Sequence, residues 1–136
     1  MAELRAEIPN LAAALAGALH DGRHEEALWV VVALRPALAD VALPEGLLDA
    51  LAAALASGRG EPELRSRACT LLGLLGARIG RPSARDDVDQ GVALAPPTSP
   101  ARARALHAAA SVRWRLTSDA AGALRLVNEA RAAQRL

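Results

Sequence analysis

Helix breakers restrict what this chain can fold into more than any other feature. Between its glycines and prolines the chain is rich in the two strongest apolar helix formers, with 34 alanines and 23 leucines. No segment alternates apolar and polar residues over the length of a strand. The segments DGR, VALP, SGRGEP, GRPS, PPTSP and TSD interrupt this composition. They predict an all-α fold of about seven short helices, whose short connections favour antiparallel neighbours.

A repeat of small, apolar and small residues recurs in three of the predicted helices. The positions, in aligned triplets 38 and then 39 residues apart, are Gly46, Ala50 and Ala53; Ala84, Val88 and Gly91; and Ala123, Val127 and Ala130. Small residues at this spacing let a neighbouring helix approach closely. The repeat predicts three stacked hairpins at 25–58, 62–95 and 99–135, after an N-terminal helix at 1–22. Together they would form a single domain over 1–136.

The proline-rich segment at 96–100 lies between two of these hairpins. Its composition is like that of the other breaks, so we expect a turn within one array and not a linker between domains. Thr98 or Ser99 can cap the helix that follows, and Pro100 suits the first turn of that helix. In the same way, the segment TSD offers an N-cap for the last helix.

Two of the triplets resemble the second helix of a tetratricopeptide repeat. The residues that carry this resemblance are Ala84, Val88, Gly91 and Pro96, and in the last hairpin Ser111, Trp114, Ala123, Val127 and Ala130. The resemblance implies a tetratricopeptide-like, right-handed stack of antiparallel helices that serves protein–protein interaction.

The first half of the chain has a second resemblance. LRAEIPNLAAALAGALHDGRHEEALWVVVAL, followed by LPEGLLDALAAALA, is similar to the helical region of large bacterial ATPase-type transcriptional regulators with winged-helix domains. This resemblance implies a sensor or scaffold module that contacts a partner or another part of the same protein. The chain has no GxxxxGK[ST] loop, so the ATPase chemistry of those regulators is not implied.

The first helix of each hairpin would line the concave face of such a stack. The candidate partner-binding residues there are Leu28, Val31, Arg35, Ser66, Cys69, Gly73, Ala105, Ala108, Val112 and Arg115. They are mostly small or apolar, so we expect the partner to be an amphipathic helix or a neighbouring domain. A second copy of the chain, covering this face in a homodimer, stays open.

Direct binding of nucleic acid is not expected. Arg102 aligns with Arg113 along the sixth helix and Arg104 aligns with Arg115, but the two lines lie on different sides of the helix. They therefore do not form one basic stripe for a phosphate backbone. The chain also lacks the aromatic platforms on which single-stranded bases stack.

Residues with reactive or metal-binding side chains have structural interpretations. His20 and His24 have the spacing of a zinc-binding pair, but DGR lies between them, which indicates a solvated corner. Cys69 lies in an apolar helix and is expected to pack. The acidic cluster at 85–90 falls at the start of a helix, where the macrodipole favours negative charge. We therefore predict a non-enzymatic module with no metal and no cofactor.

Two other functions stay open. The first is a small helical enzyme or ligand-binding protein of a specialised biosynthetic pathway, with a pocket formed by His107, Arg104 and Ser111. The second is self-association through opposite charges. Residues 1–60 hold four arginines against eight acidic residues, whereas residues 99–136 hold seven against two. The single cysteine, and the absence of a signal peptide or a long uncharged apolar stretch, predict a cytoplasmic protein.

Overall fold

The computed structural model describes residues 10, 13–33 and 46–134. These residues form helices joined by turns and contain no strand, which confirms the all-α prediction. The chain divides into two compact units, Met1–Gly60 and Glu61–Leu136, here called the N-terminal and C-terminal units. The single domain over 1–136 stays a prediction. Within the described part of the chain, no helix is long and apolar enough to cross a membrane.

The N-terminal unit contains a helical segment at residues 13–20, helix α1 (His24–Ala33) and helix α2 (Leu47–Ala56). A tight turn joins the first two, since the backbone N–H of Arg23 donates to the carbonyl of Ala18 at 2.7 Å. Helices α1 and α2 are in contact. The fully buried leucines of this unit are Leu28, Leu47 and Leu51. The predicted break at VALP lies outside the described residues.

The C-terminal unit contains four helices: α3 (Pro62–Arg78), α4 (Ala84–Leu94), α5 (Pro100–Thr117) and α6 (Ala120–Gln134). The predicted helices begin and end within about two residues of these bounds. Proline opens α3 and α5, Gly80 and Pro96 follow the ends of α3 and α4, and the TSD segment separates α5 from α6. Helix α3 packs on α4, and α5 packs on α6. Helix α5 also contacts both α3 and α4.

Glycines allow the close packing of α3 on α4. A Cβ added at Gly73 would lie 2.8 Å from the carbonyl oxygen of Ala84, and one added at Gly91 would lie 2.6 Å from the hydroxyl of Thr70. At the same contact, the buried Ser66 hydroxyl donates to the carbonyl of Gly91 at 2.6 Å. Residues 66 and 73 thus lie opposite residues 91 and 84, so the two helices run antiparallel.

The predicted repeat of small residues is buried at all three positions in α4, at one position in α6 and at neither small position in α2. Ala84, Val88 and Gly91 are buried in α4, and Ala130 is buried in α6. In α2 the prediction is wrong, because Gly46 and Ala53 are exposed. Gly46 precedes the helix with a φ of 88°, and the buried face of α2 consists mostly of leucines.

The proline-rich segment lies within the C-terminal unit, as predicted, between two helices that contact each other. The hydroxyl of Ser99 accepts from the backbone N–H of Arg102, and Pro100 occupies the first turn of α5. At the next joint, the carboxylate of Asp119 accepts from the backbone N–H of Gly122 at 2.9 Å. Both predicted N-caps, Ser99 and the one within TSD, are therefore confirmed.

Candidate functional site

Most of the predicted partner-binding residues lie in the two cores. Leu28 and Val31 are buried in the N-terminal unit. Those buried in the C-terminal unit are Ser66, Cys69, Gly73, Ala105, Ala108 and Val112. Arg115 is exposed, and Arg35 lies outside the described residues. The partner-binding role of these ten residues stays a prediction, but the buried ones are not available to a partner at the surface.

The burial of the α5 residues follows from the position of that helix. Helix α5 contacts α3, α4 and α6, so most of its circumference is covered. Ala108 and Val112 pack in one cluster with Ala84 and Val88 of α4. Alanine and valine are small enough for three neighbouring helices to approach together. These residues are therefore used in packing within the unit.

One stripe of α5 stays in solvent. Its residues, here called the α5 stripe, are Arg104, His107, Ser111, Trp114 and Arg115, and all are exposed. At about 100° per residue they span an arc of roughly 100° on the helix. Arg104 and Arg115 lie along one edge of this arc, and His107 and Trp114 lie along the other. The stripe thus has a cationic edge and an aromatic edge.

The charged side chains of the α5 stripe are all positive. Helix α5 contains no acidic residue. Arg104 and Arg115 form no ion pair within the described part of the chain. The other two arginines of α5, Arg102 and Arg113, are half-buried together on another side of the helix, and Arg102 Nη1 lies 3.5 Å from the carbonyl oxygen of Val92. The stripe therefore carries two unpaired positive charges and no negative one.

Trp114 is the residue of this stripe whose importance the sequence predictions missed. The chain has only two aromatic residues, and both are at the surface, with Trp29 49% and Trp114 55% exposed. A tryptophan can bury about 200 Å² on packing, so each of these half-exposed side chains offers apolar surface that a partner could cover. The scarcity of aromatics, together with the spacing of Arg104, His107 and Ser111, could have directed attention to this surface.

The thiol of Cys69 is unsuited to nucleophilic chemistry. Burial raises its pKa from 9.0 to about 11, and the negative charge of Asp87 acts in the same direction, while Arg65 opposes them. Burial also raises the pKa of the Asp87 carboxyl, against the lowering effects of the Ser83 hydroxyl and Arg81. Because the thiolate is the reactive species, Cys69 is nearly all in its unreactive form at neutral pH. Its packing in α3 agrees with the sequence interpretation.

The N-terminal unit has a cleft of about 380 Å³ beside the start of α1, lined by Arg23, His24, Trp29 and Arg59 together with Glu25 and Glu26. Its cations already have partners. Arg23 lies 3.3 Å from the carboxylate of Asp21 and 3.4 Å from that of Glu26. Arg59 donates to the carbonyl of Gly22 at 3.4 Å. The balance of charge in this cleft gives no preference for a charged ligand.

The remaining polar clusters have structural roles. His20 and His24 lie on opposite sides of a turn, as expected from DGR. Asp86 and Asp87 lie in the first turn of α4, which confirms their interpretation as charges at a helix start. Across the described ranges, no group of three or more histidine, cysteine, aspartate or glutamate side chains could hold a metal ion.

Comparison of the chain with protein-family models, with curated proteins and with solved structures found no match. The resemblances to tetratricopeptide repeats and to ATPase-type regulators therefore stay predictions.

Proposed function

We propose that this chain is a non-enzymatic protein–protein interaction module, and that its C-terminal unit is a tetratricopeptide-like pair of stacked hairpins. The contacts of α5 with both helices of the preceding hairpin support this arrangement. In a stack of this kind, the first helix of each hairpin packs between its neighbours and keeps one stripe free. We place the interaction surface on the α5 stripe.

The observation that carries the proposal is the exposure of Trp114 on the same stripe of α5 as two unpaired arginines. Tryptophan and arginine are the residue types most enriched among those that dominate the binding energy of protein interfaces. Here they occur together on one rigid helix whose other sides are fixed by packing. A rigid helix presenting such side chains loses little conformational freedom on binding, which favours affinity.

The proposed cellular role follows from the second resemblance. A module of this type in a bacterial transcriptional regulator would act in the cytoplasm as a sensor or scaffold. It would transmit the state of a partner, or of a neighbouring domain, to the rest of the regulator. The α5 stripe would be its point of contact.

Affinity capture with matched variants tests this function. The wild-type chain, the double variant Trp114→Ala/Arg115→Ala, and the control Ile79→Ala would each be used to capture proteins from the source cells. Ile79 is 62% exposed and lies outside the stripe, so it controls for loss of a large apolar surface group. We expect the double variant to lose its specific partners by at least about ten-fold, while the control retains them. Equal capture by all three proteins would refute the proposal.

An enzymatic function is less well supported by the geometry. The enzymatic alternative needs a pocket formed by Arg104, His107 and Ser111, but these residues lie along an exposed surface of α5. Catalytic groups normally act in a cleft that excludes water and surrounds the substrate. We therefore assign these three residues to the interaction surface.

A further inference from the structure

The α5 stripe has a geometry that restricts which partner it can bind. Arg104 and Arg115 are eleven residues apart, and three turns of helix bring them back to within about 20° of the same line. With a rise of about 1.5 Å per residue, their Cα atoms lie about 16 Å apart along the helix axis. Trp114 is next to Arg115 in sequence, and the rotation of about 100° between neighbouring residues puts it on the other edge of the stripe.

We propose that the partner of the α5 stripe is an acidic amphipathic helix, in which two carboxylates lie about 16 Å apart and an apolar side chain covers Trp114. This inference rests on the interaction function proposed above and names the partner of the same surface. A helix lying along α5 places carboxylates eleven positions apart against Arg104 and Arg115. Arginine binds carboxylates through two parallel hydrogen bonds, so both spacing and orientation are selected.

Charge complementarity favours an acidic partner over an apolar one. Two guanidinium groups without an ion pair lie on the stripe, and α5 offers no acidic residue. A partner with basic groups facing the stripe would be repelled, and an uncharged one would leave both guanidinium groups without a counter-charge on desolvation. The aromatic edge then adds apolar contact that a purely acidic, unstructured segment would not use.

The same charges disfavour nucleic acid as the partner. A protein that binds a phosphate backbone typically makes several cationic contacts along one track. The stripe has two such groups, and the half-buried Arg102 and Arg113 do not lie on it. Two matched carboxylates on a partner helix would give each of these two guanidinium groups a counter-charge. The same two groups would neutralise only a small part of the phosphate charge of a duplex.

The chain itself provides a reporter for this test. Replacing Trp29→Phe leaves Trp114 as the one tryptophan, so emission reports only on the α5 stripe. Three helix-stabilised synthetic peptides of equal length would be titrated. The first has glutamates eleven positions apart and a leucine on the same face. The second has the same composition with the glutamates seven positions apart. The third has lysines in place of the glutamates of the first.

We expect the first peptide to shift the emission of Trp114 to shorter wavelength and to bind about ten-fold more tightly than the second. The third should give no shift. Arg104→Ala and Arg115→Ala should each weaken binding of the first peptide by roughly three- to ten-fold. Arg125→Ala, which removes an exposed arginine of α6 outside the stripe, should leave binding unchanged.

Other outcomes separate this inference from the function on which it rests. Equal binding of the first two peptides, or tighter binding of duplex DNA than of either, would overturn the acidic-helix partner. If affinity capture through Trp114 still succeeded, the interaction function would stand without that partner. If capture through the stripe failed as well, both would fall.

Discussion

At the scale of single residues, the Cys69 thiol allows the effect of one titrating side chain on folding stability to be measured by itself. The chain contains no lysine and no tyrosine, and arginine titrates above about pH 12, so Cys69 is the one side chain expected to lose its proton between about pH 9 and 11. In the folded chain its thiol pKa is raised from 9.0 to about 11. The folded state therefore holds a proton that the unfolded state has lost, and folding stability decreases as the pH rises through this range.

We predict that the free energy of unfolding is constant up to about pH 8 and then falls by on the order of 2 kcal/mol by pH 11. Denaturant unfolding at a series of pH values measures it. The variant Cys69→Ala should be less stable at pH 8 because it loses packing, but it should show no fall between pH 9 and 11. A fall of equal size in the variant would mean that Cys69 is not the group responsible.

Gly73 and Gly91 are predicted to be essential to the packing of α3 on α4. A methyl group at Gly73 would meet the backbone of α4, which cannot move without separating the helices. We expect Gly73→Ala and Gly91→Ala each to destabilise the C-terminal unit by about 1–3 kcal/mol, in spite of the better helix propensity of alanine. Thermal and denaturant unfolding measure the effect.

The control for these variants is Gly17→Ala. Gly17 is exposed in the helical segment at 13–20, and a Cβ there would meet nothing within 4 Å. Helix propensity alone then predicts a gain of up to about 1 kcal/mol. If all three substitutions changed the free energy of unfolding in the same direction, the close approach of α3 and α4 described above would be contradicted.

At the scale of elements, the joint between α5 and α6 combines one favourable and one strained residue. Asp119 caps α6, whereas Ser118 ends α5 with a left-handed φ of 52°. We expect Asp119→Ala to destabilise the chain by about 1 kcal/mol through loss of the cap. Ser118→Gly should stabilise it by up to about 1 kcal/mol, because glycine adopts this conformation without strain. Opposite signs in equilibrium unfolding would confirm both; destabilisation by Ser118→Gly would contradict the strained conformation.

The ends of the elements could be predicted from the sequence, and their buried faces could not. Glycine, proline and the caps at Ser99 and Asp119 mark the start of α3, α5 and α6 and the end of α3 and α4. In α5, by contrast, alanine occurs on nearly every side, so the sequence offers no strong contrast between an inner and an outer face. Contacts with three other helices decide which alanines are buried. For this reason Ala105 and Ala108 were expected on a binding face and lie in the core.

At the scale of the whole molecule, the threefold repeat was only partly predictive. In a chain with 34 alanines among 136 residues, small residues align at many spacings by composition alone. All three positions of the triplet in α4 are buried, but only Ala130 of the triplet in α6 is, and the triplet beginning at Gly46 has both of its small residues exposed. The position of α5 between its neighbours, and hence the α5 stripe, depends on contacts that no single helix encodes.

Self-association is the other property that belongs to the whole molecule. The acidic residues Glu25 and Glu26 of the exposed α1 surface have Arg23 and Arg59 close by, which reduces their attraction for the α5 stripe of another copy. We therefore expect sedimentation analysis to give a monomer mass at both about 20 mM and 500 mM salt. A dimer at low salt that dissociates at high salt would instead favour association through opposite charges.

The exposure pattern of α5 decides between the face predicted from the sequence and the α5 stripe. Single cysteines would be introduced by Arg104→Cys, His107→Cys, Ala105→Cys and Ala108→Cys, with the buried Cys69 as an internal monitor of unfolding. The rate of thiol modification in the folded chain is the measurement. We predict rapid modification at 104 and 107 and at least roughly 100-fold slower modification at 105 and 108. Rapid modification at 105 and 108, with protection at 104 and 107, would contradict the interaction surface proposed for this protein.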